Sequence, residues 1–402
     1  MSTAAQSSTA SAVRSSAVAA VPMIDLERQY APLRDELLAA LGTVIDRRQF
    51  ILGEPVQQFE AAAAEHLGVA AAIGCSSGTD ALWLALAAAG IGPGDAVVTT
   101  PFSFFASVSS ILRAGARPVL ADIDPVSFNL SPQAVESVLQ APGADSIRAL
   151  LPVHLYGQCV DWQGFAQLTR ERHLLLIEDA AQAWGARWQQ THAGGLGDMA
   201  AFSFYPTKNL SAAGDAGLVT TNNPEFAERA RILRQHGMRI RYHHDEMGWN
   251  ARMDGFQGAI LNVKLRHIQR WNEQRRAAAA RYHSLFCAAG LAEAASHPTH
   301  GVVLPTETAG QHHVWHQYVV RCTRRDALRS FLATRQIGSE IYYPIPLHQQ
   351  KALAALGYSE GSFPEAERAA REVLALPIFP EITEAEQQAV VDAIGSFLST
   401  PA

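Results

Sequence analysis

The turn Ser76-Ser77-Gly78-Thr79 follows a short apolar run and opens a helix rich in alanine and leucine. Free backbone N–H groups and the positive end of the helix dipole make such a turn a seat for a phosphate group. Serine and threonine are also favoured at the start of helices that bind nothing. Taken alone, the turn is therefore better explained as an ordinary N-cap.

Asp179 directly follows the run LLLIE at residues 174–178. A carboxylate at the end of a buried strand is desolvated and needs a cationic partner. That partner could be a metal ion, the other half of a structural ion pair or a protonated ring nitrogen. Asp179 by itself does not decide among the three.

Lys208 is the one charged side chain in the aromatic segment FSFYPTKNL, residues 202–210. Desolvation in such surroundings would lower the pKa of the amine and free it to form a Schiff base, although a surface lysine on a loop is the commoner case. Together the three features supply a phosphate seat, an acid for a ring nitrogen and an amine for an aldehyde. Pyridoxal 5'-phosphate (PLP) needs these three contacts, because its protonated ring acts as an electron sink.

Apolar runs of strand length alternate with helical segments through the first 265 residues. The runs without polar alternation are Val69–Ile73, Ala96–Thr99, Pro118–Asp122, Ala149–Pro152 and Leu174–Ile177. Such strands, separated by helices, indicate an α/β fold with a mostly parallel sheet that is covered on both faces. Open parallel sheets bind ligands at the carboxyl ends of their strands, where the three features lie.

The remaining sequence predicts a smaller α+β domain. A charged helix, Lys264–Phe286, is expected to link it to the sheet, with Lys264, Arg266 and His267 on its exposed face. A strand at 315–321, a helix at 325–336 and a terminal helix from residue 384 follow. We therefore predict a disordered tail at residues 1–21, a large PLP-binding domain at 22–265 and a small C-terminal domain at 266–402.

The composition argues against several classes of partner. The net charge is −6 and no basic stripe is present, so neither a nucleic-acid nor a membrane surface is expected. The four cysteines show no CxxC spacing, which favours a reducing compartment, and we expect a cytoplasmic protein. His312, His313 and His316 have no carboxylate close in sequence, so no metal site is predicted.

Six ordered motifs resemble the DegT/DnrJ/EryC1/StrS family of PLP-dependent sugar aminotransferases over residues 22–397. They are FSFYPTKNL, IEDAAQA, PVHLYGQ, GWNARMDGFQGAIL, YYPIPLH and LALPIFP. The resemblance implies the aspartate-aminotransferase fold, also called PLP fold type I. It further implies a homodimer whose active sites lie at the subunit interface.

The resemblance also assigns cofactor contacts. Lys208 matches the lysine that binds the cofactor aldehyde, Asp179 the acid that pairs with the pyridine nitrogen, and Gln182 a side chain near the ring hydroxyl. The matched phosphate contacts and the matched stacking ring are Ser77, Gly78, Thr79, Ser203 and Phe104.

Other matched positions concern the partner subunit and the substrate. Asn250 and Arg252 match residues that reach into the neighbouring subunit's site, Asn250 towards the phosphate. Tyr342 and Tyr343 match a sugar-facing pair. The family commonly reads AQAHGA where this chain has Trp184, so a histidine that orients substrate would be replaced here by shape alone.

The function that the resemblance implies is transfer of an amino group, from L-glutamate, to a keto-sugar linked to a nucleotide, giving an amino sugar for glycan or natural-product biosynthesis. The segment HGMRIRYHHDEMGWN resembles members that aminate carbon 3 of the sugar. Three alternatives stay open. They are a cyclitol aminotransferase taking nitrogen from glutamine, a sugar dehydratase, whose members carry histidine at the position of Lys208, and a non-catalytic PLP-binding regulator.

Overall fold

The computed structural model describes residues 20–400 and contains, within that range, a central sheet of seven strands. The strands are β1 (Ala71–Cys75), β2 (Ala96–Thr99), β3 (Arg117–Leu120), β4 (Ile147–Leu151), β5 (Leu175–Asp179), β6 (Met199–Ser203) and β7 (Gly217–Thr221). They lie in the order β1-β7-β6-β5-β4-β2-β3, and β7 alone runs opposite in direction to the other six strands. The predicted α/β fold with a mostly parallel sheet is confirmed.

Helices surround this sheet and form most of the C-terminal part. They are α1 (Leu26–Tyr30), α2 (Arg34–Arg47), α3 (Glu54–Leu67), α4 (Gly78–Ala88), α5 (Ala106–Arg113), α6 (Pro132–Leu139), α7 (Trp162–Arg172), α8 (Pro224–Leu233), α9 (Gly255–Leu265), α10 (Ile268–Ala288), α11 (Arg325–Thr334), α12 (Pro364–Glu372) and α13 (Glu384–Leu398).

Successive residues of the central strands pack into different hydrophobic layers. In β4, Ala149 and Leu151 pack with α4 and α8, whereas Leu150 packs with α6 and α7. In β6, Ala201 joins the first of these layers, and Phe202 joins a third layer with α3 and α9. Both faces of the sheet are therefore buried, which explains why the strands are apolar without polar alternation.

The C-terminal part has its own short sheet, formed by the antiparallel strands β8 (Tyr318–Arg321) and β9 (Val373–Leu376). Its core combines α10, α11 and α13 with this sheet, and it also takes in Phe102, Leu120 and Leu155 from the large sheet's loops and edge. The C-terminal part therefore packs on the carboxyl ends of the parallel strands. The domain limits at 265 and 266 stay a prediction.

The predicted helix from Lys264 to Phe286 is in fact two helices, α9 and α10. Lys264 is 0% exposed; its Nζ donates to the Tyr30 hydroxyl at 3.2 Å and to the Ser211 hydroxyl. The expectation that Lys264 lies on an exposed face is wrong, because α9 ends one residue later and its last turn faces the protein interior. Arg266, beyond that end, is exposed as predicted.

Of the predicted tail, residues 1–19 lie outside the described residues. Val21 is buried, and its backbone N–H donates to the Gln336 carbonyl at 3.0 Å.

Between residues 20 and 400, no helix combines the length and apolar character that crossing a membrane requires. Over the same range, no three His, Cys, Asp or Glu side chains are grouped so that they could hold a metal ion.

Candidate active site

The amino end of α4 forms a cradle with the end of β6 and the start of β7. Ser77 caps α4, since its Oγ accepts the Asp80 N–H at 3.1 Å. The N–H groups of Gly78 and Thr79 belong to the first turn and have no intrahelical acceptor. A Cβ on Gly78 would lie 2.6 Å from Cβ of Ser203, so the glycine allows that serine to approach. The Ser203 hydroxyl and these two N–H groups fit a phosphate group.

Alanine at position 78 is expected to weaken phosphate binding, since its methyl group would overlap Ser203 and push the two sides of the cradle apart. Such overpacking costs about 1–3 kcal/mol, so the affinity for PLP should fall by about tenfold or more. Equilibrium titration of the cofactor's visible absorbance measures the change. Gly42→Ala in α2 is the control, because nothing lies within 4 Å of its added methyl group. PLP binding by Gly78→Ala as tight as by wild type would contradict the cradle.

Asp179 is the last residue of β5, at the carboxyl edge of the sheet, and is 4% exposed. Its Oδ2 accepts the Ser107 hydroxyl at 2.8 Å, and its Oδ1 accepts the Ala181 N–H at 3.2 Å. Burial raises the pKa of this carboxyl group, while both hydrogen bonds lower it. No Lys or Arg side chain lies within salt-bridge distance of Asp179 in the described chain. The carboxylate therefore lacks the structural ion pair that was the alternative explanation.

Lys208 lies beyond β6 in a turn that its own N–H stabilises by donating to the Tyr205 carbonyl at 2.8 Å. Burial lowers the pKa of the amine to about 8, and the nearby Asp179 carboxylate partly opposes this decrease. A useful fraction of the side chain is therefore neutral near physiological pH, and a neutral amine can attack an aldehyde. The surface-lysine interpretation does not account for this environment.

The rate at which PLP attaches to cofactor-free protein should follow the neutral fraction of Lys208. Below the pKa of about 8, that fraction falls by about tenfold for each pH unit, so attachment should slow as the pH decreases and level off above the pKa. Stopped-flow absorbance across this range measures the rate. In Asp179→Asn the midpoint should move to lower pH, because the carboxylate raises the pKa of Lys208. A rate independent of pH would exclude Lys208 as the attacking amine.

Gln182 has an amide orientation fixed by its neighbours. Its Oε1 accepts the Tyr156 N–H at 2.6 Å, and its Nε2 donates to the Tyr343 hydroxyl at 3.3 Å. The amide nitrogen has a second proton, which suits the oxygen of a ring hydroxyl. Burial raises the pKa of the Tyr343 phenol, and the nearby Asp179 carboxylate raises it further.

The predicted aromatic contacts meet at the same place. The ring of Phe104 lies 6.5 Å from the ring of Tyr343, and Phe104 is 61% exposed in the single chain. Tyr342 is half-buried, and its carbonyl oxygen accepts the Tyr156 hydroxyl. The C-terminal part thus contributes Tyr343 to the group formed by Asp179, Lys208 and Gln182.

The backbone of Asn250 and Arg252 lies beside the cradle, and their side chains face outward. Ala251, between them, accepts the Ser76 N–H at 3.2 Å through its carbonyl oxygen. Asn250 is exposed, Arg252 is half-buried, and Arg252 Nε donates to Asn250 Oδ1 at 3.0 Å. Their predicted role in a neighbouring subunit stays a prediction.

Two features of the site were not foreseen from the sequence. One is Ser107, the hydrogen-bond donor to Asp179, and the other is the Tyr156 backbone N–H that fixes Gln182. A serine four residues after another serine in PFSFFAS is a weak signal. The backbone group has no sequence signal at all.

Trp184 lies in the core and is 4% exposed. Its ring stacks on His66 at 5.7 Å and packs edge-on against Phe202 and Phe204 at 5.1 and 5.4 Å. The expectation that this side chain stands in for a substrate-orienting histidine therefore finds no support in its position. The bulky indole faces the layer of α3 and α9.

Comparison with known proteins shows the family of this chain. The model of the DegT/DnrJ/EryC1/StrS aminotransferase family matches residues 32–395. The "Pleiotropic regulatory protein" of Geobacillus stearothermophilus is 48% identical over 94% of this chain and 98% of its own. The UDP-N-acetyl-3-dehydro-alpha-D-glucosamine 3-aminotransferase of Acidithiobacillus ferrooxidans is 42% identical over 91% and 94%. The crystal structure of S. venezuelae DesV superposes with a TM-score of 0.89 at 41% identity and covers 95% of this chain and 100% of DesV.

Proposed function

This chain belongs to the DegT/DnrJ/EryC1/StrS family of PLP-dependent aminotransferases, and on that premise we propose that it transfers the amino group of L-glutamate to carbon 3 of a keto-sugar linked to a nucleotide. The observation that carries the proposal is the meeting of Lys208, Asp179 and Gln182 beside the cradle of α4. PLP fold type I is the fold of this family, and the observed sheet agrees with it.

Each side chain has a proposed task on the cofactor. When bound, PLP supplies an aldehyde for amines and a protonated ring that withdraws electrons. Lys208 would hold the aldehyde and, once free, would carry the proton that the transfer requires, since it stays within reach of the reacting carbons. Asp179 would keep the ring nitrogen protonated, and Gln182 would donate a hydrogen bond to the ring hydroxyl oxygen. The proposed phosphate contacts are Gly78, Thr79, Ser203 and Asn250 of the partner subunit. Phe104 is the proposed stacking ring.

Ser77 has a narrower proposed task than the resemblance implies. Its Oγ accepts the Asp80 N–H, and its hydroxyl donates to Asp80 Oδ2 at 3.2 Å. The hydroxyl proton is therefore already engaged within α4. We propose that Ser77 shapes the turn while the neighbouring backbone N–H groups contact the phosphate.

The name of a relative supports amination at carbon 3 and a substrate linked to a nucleotide. One hairpin of this chain also supports binding of a nucleotide diphosphate. The A. ferrooxidans relative is named as a 3-aminotransferase of a UDP-sugar. The hairpin formed by Met238–Ile240 and His243–His244 exposes Arg241, whose guanidinium lies 5.0 Å from the Tyr242 ring. In a chain of net charge −6, such placed cations are what could meet a diphosphate. Arg252 and the Tyr342–Tyr343 pair are the proposed sugar-side contacts.

A panel of substrates tests the proposal. Purified PLP-loaded protein is incubated with L-glutamate or L-glutamine and with 3-keto and 4-keto sugars linked to UDP or dTDP, or with an inosose. The amino products are detected by mass spectrometry. The proposal expects the 3-keto substrates with glutamate to react fastest. Faster reaction of a 4-keto sugar, or of an inosose with glutamine, would overturn the carbon-3 assignment in favour of that substrate.

A regulatory role is the second candidate, since the G. stearothermophilus relative carries a regulatory name. A PLP-binding regulator would also need Lys208 and Asp179 to hold its cofactor, so these two residues do not separate the candidates. Adding glutamate to the loaded protein separates the candidates. A working transaminase loses its visible band as the amino group is taken up, whereas a band unchanged by glutamate would favour the regulator.

We also propose a homodimer with shared sites, in the cytoplasm. Large apolar side chains close in sequence to Lys208 or Asn250 are exposed in the single chain, among them Tyr205 at 53%, Trp249 at 50% and Met247 at 83%. Exposed apolar surface of this kind marks a protein interface. We propose that the partner subunit also covers the exposed ring of Phe104. The free thiols of Cys75, Cys159, Cys287 and Cys322 suit a reducing compartment.

Mixing two inactive variants tests the shared site. We expect Lys208→Ala chains mixed with Asn250→Ala/Arg252→Ala chains to regain activity, because a mixed dimer has one site built from two intact halves. With random exchange, half of the dimers carry one such site, so recovery should approach about a quarter of wild type. Lys208→Ala mixed with Asp179→Asn is the matched control and should regain nothing, as both defects lie on the same side of the site. No recovery in the first mixture, despite proven subunit exchange, would argue against the shared site.

A further inference from the structure

Two buried serines form a hydrogen-bond chain that ends on Asp179. Ser107, in the first turn of α5, is 0% exposed, and Ser103 is 4% exposed. The Ser107 hydroxyl lies 2.8 Å from Asp179 Oδ2, and the two serine hydroxyls lie 2.9 Å apart. Neither serine belongs to the contacts proposed above for the cofactor.

The direction of each hydrogen bond follows from the number of protons. An ionised carboxylate can only accept, so Ser107 must donate its single hydroxyl proton to Asp179. Ser107 then has no proton left for its neighbour, so Ser103 must donate to the Ser107 oxygen. The chain therefore runs from Ser103 through Ser107 to Asp179, and each donor polarises the next.

Such a chain acts on the proton that a ring nitrogen and Asp179 would share. A hydrogen bond that can be made to a carboxylate, and made less well to the neutral acid, favours the ionised form of Asp179. The ionised form is the one that leaves the proton on the ring nitrogen. The first turn of α5 acts in the same direction, because its helix dipole favours a negative charge there.

Other groups near Asp179 do not duplicate this effect. The titratable neighbours are Lys208, His154 and Tyr343. His154 Nε2 is engaged by Glu178 at 2.8 Å, and its Nδ1 accepts the Val160 N–H, so the ring does not donate to Asp179. Apart from the Ala181 N–H, Ser107 is the donor that the described structure gives to this carboxylate.

We infer that Ser107, supported by Ser103, is a positioning residue that keeps the shared proton on the cofactor ring nitrogen rather than on Asp179. The inference rests on the proposed pairing of Asp179 with that nitrogen. The structural alternative is that Ser107 only provides a hydrogen bond to the buried Oδ2 of Asp179 and leaves the position of the shared proton unchanged.

The test follows the ring nitrogen itself. Wild type and variants are loaded with PLP labelled with ¹⁵N in the ring, and the nitrogen chemical shift is measured by NMR at a pH where the pair holds one proton. In Ser107→Ala, loss of a charge-assisted hydrogen bond should change the ratio of the two proton positions by about ten- to a hundredfold towards Asp179. The shift should move towards that of a neutral ring, and kcat should fall while KM for the amino donor stays within about twofold.

Two further variants keep the test decisive. Ser103→Ala does not touch Asp179 and should move the nitrogen shift in the same direction by a smaller amount, even if Ser107→Ala fails to fold. Ser110→Ala is the matched control, because Ser110 is equally buried in α5 but donates to the Ala106 carbonyl. A nitrogen shift in Ser107→Ala and Ser103→Ala equal to that in Ser110→Ala would overturn the inference.

Asp179→Asn separates this inference from the proposed function. If the nitrogen shift responds to Asp179→Asn but not to the serine variants, only the serine chain is wrong. If it does not respond to Asp179→Asn either, the proposed pairing of Asp179 with the ring is wrong, and the serine chain fails with it.

Discussion

Lys208→Ala should eliminate turnover and the covalent attachment of PLP. The variant loses both the amine that binds the aldehyde and the group that moves the proton, and the second loss alone costs about 10²- to 10⁴-fold in rate. The cradle of α4 stays intact, so PLP should still bind, but without the visible band of the attached form. Absorbance spectra, together with mass spectrometry after borohydride reduction, measure the attachment.

Lysine chemistry can be separated from positive charge by two controls. Lys208→Arg keeps the charge but should fail as well, because a guanidinium stays protonated and cannot attack an aldehyde. Lys351→Ala removes an exposed lysine and should behave as wild type. Attachment that survives in Lys208→Ala would point to Lys264, which is buried, and would refute the assignment.

Asp179→Asn is expected to retain the cofactor more weakly and to lose most of its turnover. An amide of the same shape cannot carry the negative charge that keeps the ring nitrogen protonated, whereas the phosphate cradle lies on other residues. Removing one preorganised electrostatic partner typically costs about 10²- to 10³-fold in kcat. Steady-state kinetics and PLP titration measure the two effects.

The same substitution at a remote carboxylate provides the comparison. Asp198 lies just before β6, at the opposite edge of the sheet, and its Oδ2 accepts the Leu176 N–H at 2.8 Å. Asp198→Asn should therefore affect stability more than turnover. Near-normal activity of Asp179→Asn would mean that this aspartate is structural and that another group protonates the ring.

Much of the fold could be predicted because burial on both faces leaves a pattern in the sequence. Apolar runs without alternation located five strands of the sheet, and β2 matches the prediction at both ends. Helix ends were predicted less well. The break between α9 and α10 has no proline or glycine to mark it, so Lys264 was assigned to an exposed face although it is buried.

The sequence by itself determined which chemical groups the protein has and at which ends of which strands they lie. Parallel strands share one carboxyl edge, so the order of apolar runs was enough to bring Asp179 and the Gly78 turn to that edge. Lys208 follows β6, for which no apolar run was predicted. Only the tertiary structure decided the hydrogen bonds and the pKa values of these groups. The hydrogen bond from Ser107 to Asp179 joins residues 72 positions apart. Such a bond forms only when the donor–acceptor distance is correct to within a few tenths of an ångström. Desolvation, which lowers the pKa of Lys208, likewise depends on atoms that reach the site only when the chain is packed.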